Sequence, residues 1–89
     1  MKIKTGFIVR KIANQYMAVP VGTRTKELHG MIALNETGTF LWNLLSEEQS
    51  EDSLVNALME EYEVDLEQAH ASVKRFSEKL QQEEVLENE

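Results

Sequence analysis

Eighty-nine residues fit one domain, and 42% apolar content is enough for a modest core without staples. The chain has no cysteine, which excludes disulfides and thiolate metal sites, and no apolar run near the ~20 residues that a membrane span needs. The net charge of −7 is unevenly spread: residues 1–34 hold six basic side chains against one acid (+5), and residues 35–89 hold three against fifteen (−12). The two halves either carry ordinary solvated faces or offer two surfaces for two partners, the basic one suiting an acidic segment.

Phe7 to Ile12 is rich in β-favouring residues and reads as a first strand. Ala13-Asn14-Gln15 can turn, with Asn14 the most tolerant of positive φ. Tyr16 to Val21 makes a second strand and closes a hairpin. Pro20 has no amide hydrogen, so pairing is expected to end or bulge there. Residues 22–29 form a polar loop. After Gly30, Met31 to Leu34 are too few for a helix and suit a short buried third strand. Tyr16 to Val21 carries little polar alternation, so both faces of the sheet need cover. Three helices cover only one. The other face is then either an exposed contact surface or hidden by curling of the sheet.

Asn35 is placed to cap a helix, with Glu36 at the positive end of its dipole. Phe40, Leu41, Leu44 and Leu45 give that helix its apolar face, and Trp42 reads as a core anchor. Gly38 costs about 1 kcal/mol in a helix interior relative to alanine, so close approach of a neighbouring backbone is expected. Ser50 caps a second helix, with Leu54, Val55, Leu58, Met59 and Tyr62 inward. Asp65 caps a third, reaching about Gln82, with Leu66, Ala69, Val73, Phe76 and Leu80 on one stripe. Val85 and Leu86 are expected to fold back on the core. The fold class is α+β: a three-stranded antiparallel N-terminal sheet (strands about 6–34), then three helices (about 36–82), winged helix-turn-helix-like.

Nothing in the sequence carries catalytic chemistry. His29 and His70 lack partners at a telling spacing, two histidines without cysteine are a poor zinc set, and no phosphate loop is present. The paired acids (Glu47-Glu48, Glu60-Glu61, Glu83-Glu84) lie on solvated surfaces rather than in a pocket that shifts pKa. No catalytic residue, metal or cofactor is expected. The second and third helices outline a helix-turn-helix, so a winged-helix DNA-binding regulator is the alternative reading. Its base readers would be Asp65, Leu66, Glu67 and Gln68, and two acids there, in a half of net −12, oppose phosphate.

The segments Gly6-Phe-Ile-Val-Arg10, Val19-Pro-Val-Gly22, Gly30-Met-Ile-Ala-Leu-Asn-Glu-Thr-Gly38 and Phe40-Leu-Trp42 carry a further signal, as does Glu60-Glu-Tyr-Glu-Val-Asp65. Together they resemble the PqqD family, small peptide-recognition proteins of pyrroloquinoline quinone synthesis and related peptide-modification clusters. Many members end in Gly-Leu-Leu where this chain has Glu84-Val85-Leu86. The resemblance implies a non-catalytic peptide chaperone. It would bind the leader of a ribosomally made precursor by β-strand addition and present it to a modifying enzyme, often a radical S-adenosylmethionine enzyme. It also implies that the leader pairs beside Met31, Ile32, Ala33 and Leu34, in a groove whose wall is drawn from Val73, Lys74, Phe76, Ser77 and Leu80 of the third helix. Of these, Phe76 reads as core. Expected partners are thus the leader and the enzyme, with a homodimer as a further possibility, and no nucleic acid or membrane. Cytoplasmic residence is the matching expectation.

Overall fold

The computed structural model describes residues 1–22 and 31–87. His29, Gly30 and most of the polar loop lie outside the described residues. Three strands, β1 (Phe7–Ile12), β2 (Gln15–Pro20) and β3 (Ile32–Leu34), precede three helices, α1 (Glu36–Leu44), α2 (Glu51–Glu61) and α3 (Leu66–Gln82). The sheet is antiparallel throughout, in the order β1-β2-β3, so β1 and β3 are its two edges.

The hairpin is tighter than its sequence suggests. Its loop is two residues, Ala13 and Asn14, with φ of 50° and 67°. Two consecutive positive φ values match the type I′ turn, whose twist suits the flanking strands. Asn14 tolerates that conformation readily, whereas Ala13 bears the steric cost of a left-handed L-residue.

Pro20 does not end the ladder. Phe7 pairs with Pro20, and one step further the Val21 amide donates to the Gly6 carbonyl at 2.9 Å. Antiparallel pairs alternate between hydrogen-bonded and non-bonded. Gly6 and Val21 form a bonded pair, so Phe7 and Pro20 form a non-bonded one, and the proline lacks an amide where none is required.

Each helix starts at its expected cap. Asn35 Oδ1 accepts from the Gly38 amide at 2.7 Å, Asp65 Oδ1 from Gln68 at 2.7 Å, and Ser50 Oγ from Ser53 at 3.0 Å. In the last case the Ser53 hydroxyl also accepts from the Ser50 amide, closing a capping box. The end of α3 is less usual. Glu84 stands at φ 58°, the Glu84 amide donates to Gln81 and the Val85 amide reaches back to Leu80. This is a Schellman stop with glutamate where glycine is normally favoured.

One face of the sheet and all three helices enclose the core. Ala18, Ile32 and Leu34 meet Leu41, Trp42 and Leu45 of the α1 region, Leu54, Val55 and Leu58 of α2, and Ala69, Val73 and Leu80 of α3. Each fully buried leucine stabilises the fold by about 1.5–3 kcal/mol. Trp42 is a core anchor, edge-on to Phe7 at 5.7 Å. Two residues placed inward by periodicity turn out instead: Met59 is 38% exposed and Leu66 61%. Val85 is fully buried, and Ile3 bridges Leu86. The opposite sheet face is not covered by helices. Ile8, Ile12, Val21 and Met31 are exposed along it, so among the described residues curling does not hide that face.

Candidate functional site

β3 is only three residues long, yet its position is firmly set. The side chains of Ile32 and Leu34 enter the core, and Asn35 then stops the strand by capping α1. Met31, expected within the strand, lies just before it and is 53% exposed.

The hairpin fixes which backbone groups of β3 are free. The bonded pair Gly6–Val21 directs the groups of Val21, Val19, Met17 and Gln15 toward β1. Tyr16 and Ala18 therefore direct theirs toward β3, where they face Leu34 and Ile32. Ala33 faces Met17 in a non-bonded pair, so its own N–H and C=O point away from the sheet. An independent contact agrees: Lys79 Nζ, arriving from α3, donates to the Ala33 carbonyl at 2.7 Å.

Beside this edge runs a groove of about 280 Å³ between β3 and α3. Its floor is Leu34, Asn35, Thr37, Gly38 and Leu41, and its α3 wall is Ser72, Arg75, Phe76 and Lys79. A second depression, beyond Lys79, adds Tyr16 and Phe40 and shares Ala33, Leu34 and Asn35 with the first. Gly38 is explained here, though not by a neighbouring backbone. A β-carbon at this position would stand 2.9 Å from Asn35 Oδ1 and 3.4 Å from Phe76 Cε1. The glycine lets the cap and the aromatic ring share one place.

The residues that line the groove lie one step around the helix from the expected α3 wall. Val73 and Leu80 have no exposed surface and belong to the core. Lys74 and Ser77 lie outside the groove lining, the Ser77 hydroxyl donating to the Lys74 carbonyl. Phe76, read as core, is half-buried: it packs against the core and also lines the groove. Ser72, Arg75 and Lys79 were missed. Their signal lies in the sequence, since residues 72, 75, 76 and 79 form their own i, i+3, i+4, i+7 row.

Arg75 and Lys79 stand out electrostatically. With Lys74 they are the only basic side chains in residues 35–89, and these two line the groove. Among the described residues neither has a carboxylate partner. Elsewhere Tyr62 packs edge-on against Phe40 at 5.6 Å. Burial first, then Glu36 and Glu61, pushes the Tyr62 phenol above its ordinary value of 10.0. Among the described residues no cluster of acids and histidines could hold a metal ion, and no helix is long and apolar enough to cross a membrane. His70 is exposed beside Glu51 at 3.4 Å.

An antiparallel sheet with one free, helix-flanked edge, followed by three helices, defines a winged-helix-like domain with an open strand edge. The family model for coenzyme PQQ synthesis protein D (PqqD) matches residues 21–86, and the chain belongs to that family. A solved structure, TbiB1 in complex with the TbiA(beta) leader peptide, is similar with a TM-score of 0.74 and 25% identity. That similarity covers 100% of this chain and 98% of TbiB1. No curated protein sequence matches.

Proposed function

We propose that this chain is a non-catalytic recognition module for a precursor peptide. It binds the leader segment of a ribosomally made precursor as a fourth strand on β3 and presents it to a peptide-modifying enzyme. The observation that carries this reading is the outward-facing N–H and C=O of Ala33 beside the β3–α3 groove. Such an edge supplies one donor and one acceptor in register, and strand addition supplies affinity through the main chain and specificity through alternate side chains. Membership of the PqqD family and the likeness to a leader-bound protein support the same assignment. On that relationship we assign the enzyme to the radical S-adenosylmethionine class.

The test is amide hydrogen exchange with and without a synthetic leader of a candidate precursor peptide. The Ala33 amide should become protected on binding, while those of Ile32 and Leu34, already paired to β2, change little. Saturable binding that leaves the Ala33 amide exchanging freely would place the peptide elsewhere.

A further inference from the structure

In the free protein the acceptor that strand addition requires is already occupied. Lys79 Nζ donates to the Ala33 carbonyl at 2.7 Å, from a side chain that is otherwise exposed. An incoming strand brings its own amide to that oxygen and competes with the ammonium group for it. The ammonium then stands at the rim of the groove, with Arg75 one helical turn away and no carboxylate on either. With a neutral peptide the two exposed cations turn to solvent and gain no partner. A carboxylate on the peptide gives the displaced lysine a charge-assisted partner in place of the carbonyl it lost.

We infer that Lys79 is a displaceable plug on the β3 edge, and that Lys79 and Arg75 together select peptides with an acidic side chain on the groove-facing side of the added strand. This rests on the strand-addition reading and names its specificity. The spacing sharpens it. Residues 75 and 79 are four residues apart on the helix, a rise of about 6 Å. Same-face residues of a strand repeat at about 6.6–6.8 Å. Acids two apart in the peptide thus match the two cations better than adjacent acids, which would point to opposite faces. The acidic surroundings add discrimination: with −12 over residues 35–89, a carboxylate is favoured at this groove and disfavoured around it.

The experiment selects a displayed library of random 16-residue peptides on the parent protein and on the Arg75→Glu/Lys79→Glu double variant. Both side chains are exposed, and a thermal melt checks that the variant folds. The parent should enrich Asp or Glu within an apolar segment, singly or two residues apart, and the double variant should enrich Lys or Arg instead. An acidic peptide recovered on the parent should bind Lys79→Met about three- to tenfold more weakly. Its Asp→Asn or Glu→Gln counterpart should bind Lys79→Met about two- to fivefold more tightly than it binds the parent, because the plug is gone. Peptides that lose binding on Ala33→Pro but show no acid preference would overturn the inference and leave strand addition standing. Peptides indifferent to Ala33→Pro would overturn strand addition, and an empty selection on both proteins would overturn both.

Discussion

The two edges of the sheet solve the same problem in different ways. β1 is six residues long and carries Arg10 and Lys11, charges on the edge itself that discourage pairing with another chain. β3 is three residues long, its side chains on the core face are buried, and its outward acceptor is covered by a side chain from another element. A charge carried by the edge strand stays there. A lysine reaching across from α3 can leave without disturbing the sheet. One edge is therefore closed by composition, the other by a contact that can be exchanged, and the second has a groove along it.

Proline substitutions give the largest expected effects and the clearest way to break this comparison. Ile32→Pro or Leu34→Pro removes a bond to β2, leaves its carbonyl unpaired and empties a core position, so a loss of about 4 kcal/mol or more is expected, read as a collapse of the thermal melt. Ala33→Pro removes an outward amide, so the domain should stay folded and lose at least about tenfold in leader affinity. Lys11→Pro also removes an outward amide, on β1, and should leave affinity within about twofold. If Lys11→Pro weakened leader binding as much as Ala33→Pro, the two edges would be functionally equivalent and the comparison would fail.

Gly38→Ala probes the groove floor beneath β3. Helix propensity alone favours alanine by about 1 kcal/mol. The added carbon meets the Asn35 cap oxygen and the Phe76 ring, and a disturbed cap costs about 1–2 kcal/mol. The expected outcome in denaturant unfolding is a net loss near 1 kcal/mol, with weaker leader binding. A more stable variant with parental affinity would show that the floor adjusts freely.

Salt should separate the edges by charge. A leader drawn by the groove cations should bind more weakly as ionic strength rises toward physiological, where the Debye length is about 8 Å. Arg75→Gln with Lys79→Gln should flatten most of that slope, and Arg10→Gln with Lys11→Gln should leave it intact. The reverse result would shift the attraction to the hairpin and the basic N-terminal region.

The smallest effect concerns the support under β3. Phe40 lines the depression beside Leu34 and Tyr16, and Tyr62 holds Phe40 from behind. The folded phenol of Tyr62 is raised above its unfolded value near 10. Its contribution is therefore complete below pH ~10 and is lost as pH rises through the folded value, because the unfolded chain ionises first. Melts of the parent should soften above pH ~10 more than those of Tyr62→Phe. Equal softening would assign the alkaline loss to other groups.

Local chemistry was the legible part of this fold. The three caps act over three residues, and β1 and the end of α3 stand where composition puts them. The groove was less legible. The family resemblance put Val73 and Leu80 in the wall although periodicity places both on the core-facing stripe, and the groove is lined by the adjacent row at 72, 75, 76 and 79. Phe76 lies on both rows, so its apolar character reads equally as core and as wall. The outward parity of Ala33 depends on where the hairpin closes. A loop read as three residues instead of two would have shifted the register and reversed the assignment. Gly38 announced a close approach, but only the folded chain shows that a cap oxygen and an aromatic ring make it.

The clasp between the two ends of the described chain has a topological consequence. Ile3 bridges Leu86, the Lys4 amide donates to the Val85 carbonyl at 2.8 Å and the Glu87 amide to the Lys2 carbonyl at 2.8 Å. The path enters and leaves the domain at one spot, like a plug-in cartridge with both contacts on one side. Spliced into a surface loop of another protein, it would hold that loop's ends about a strand spacing apart, ~4.8 Å, at little closure entropy. The same adjacency makes the domain a candidate for circular permutation, with new ends opened at the Ala13–Asn14 turn and a short linker across the clasp.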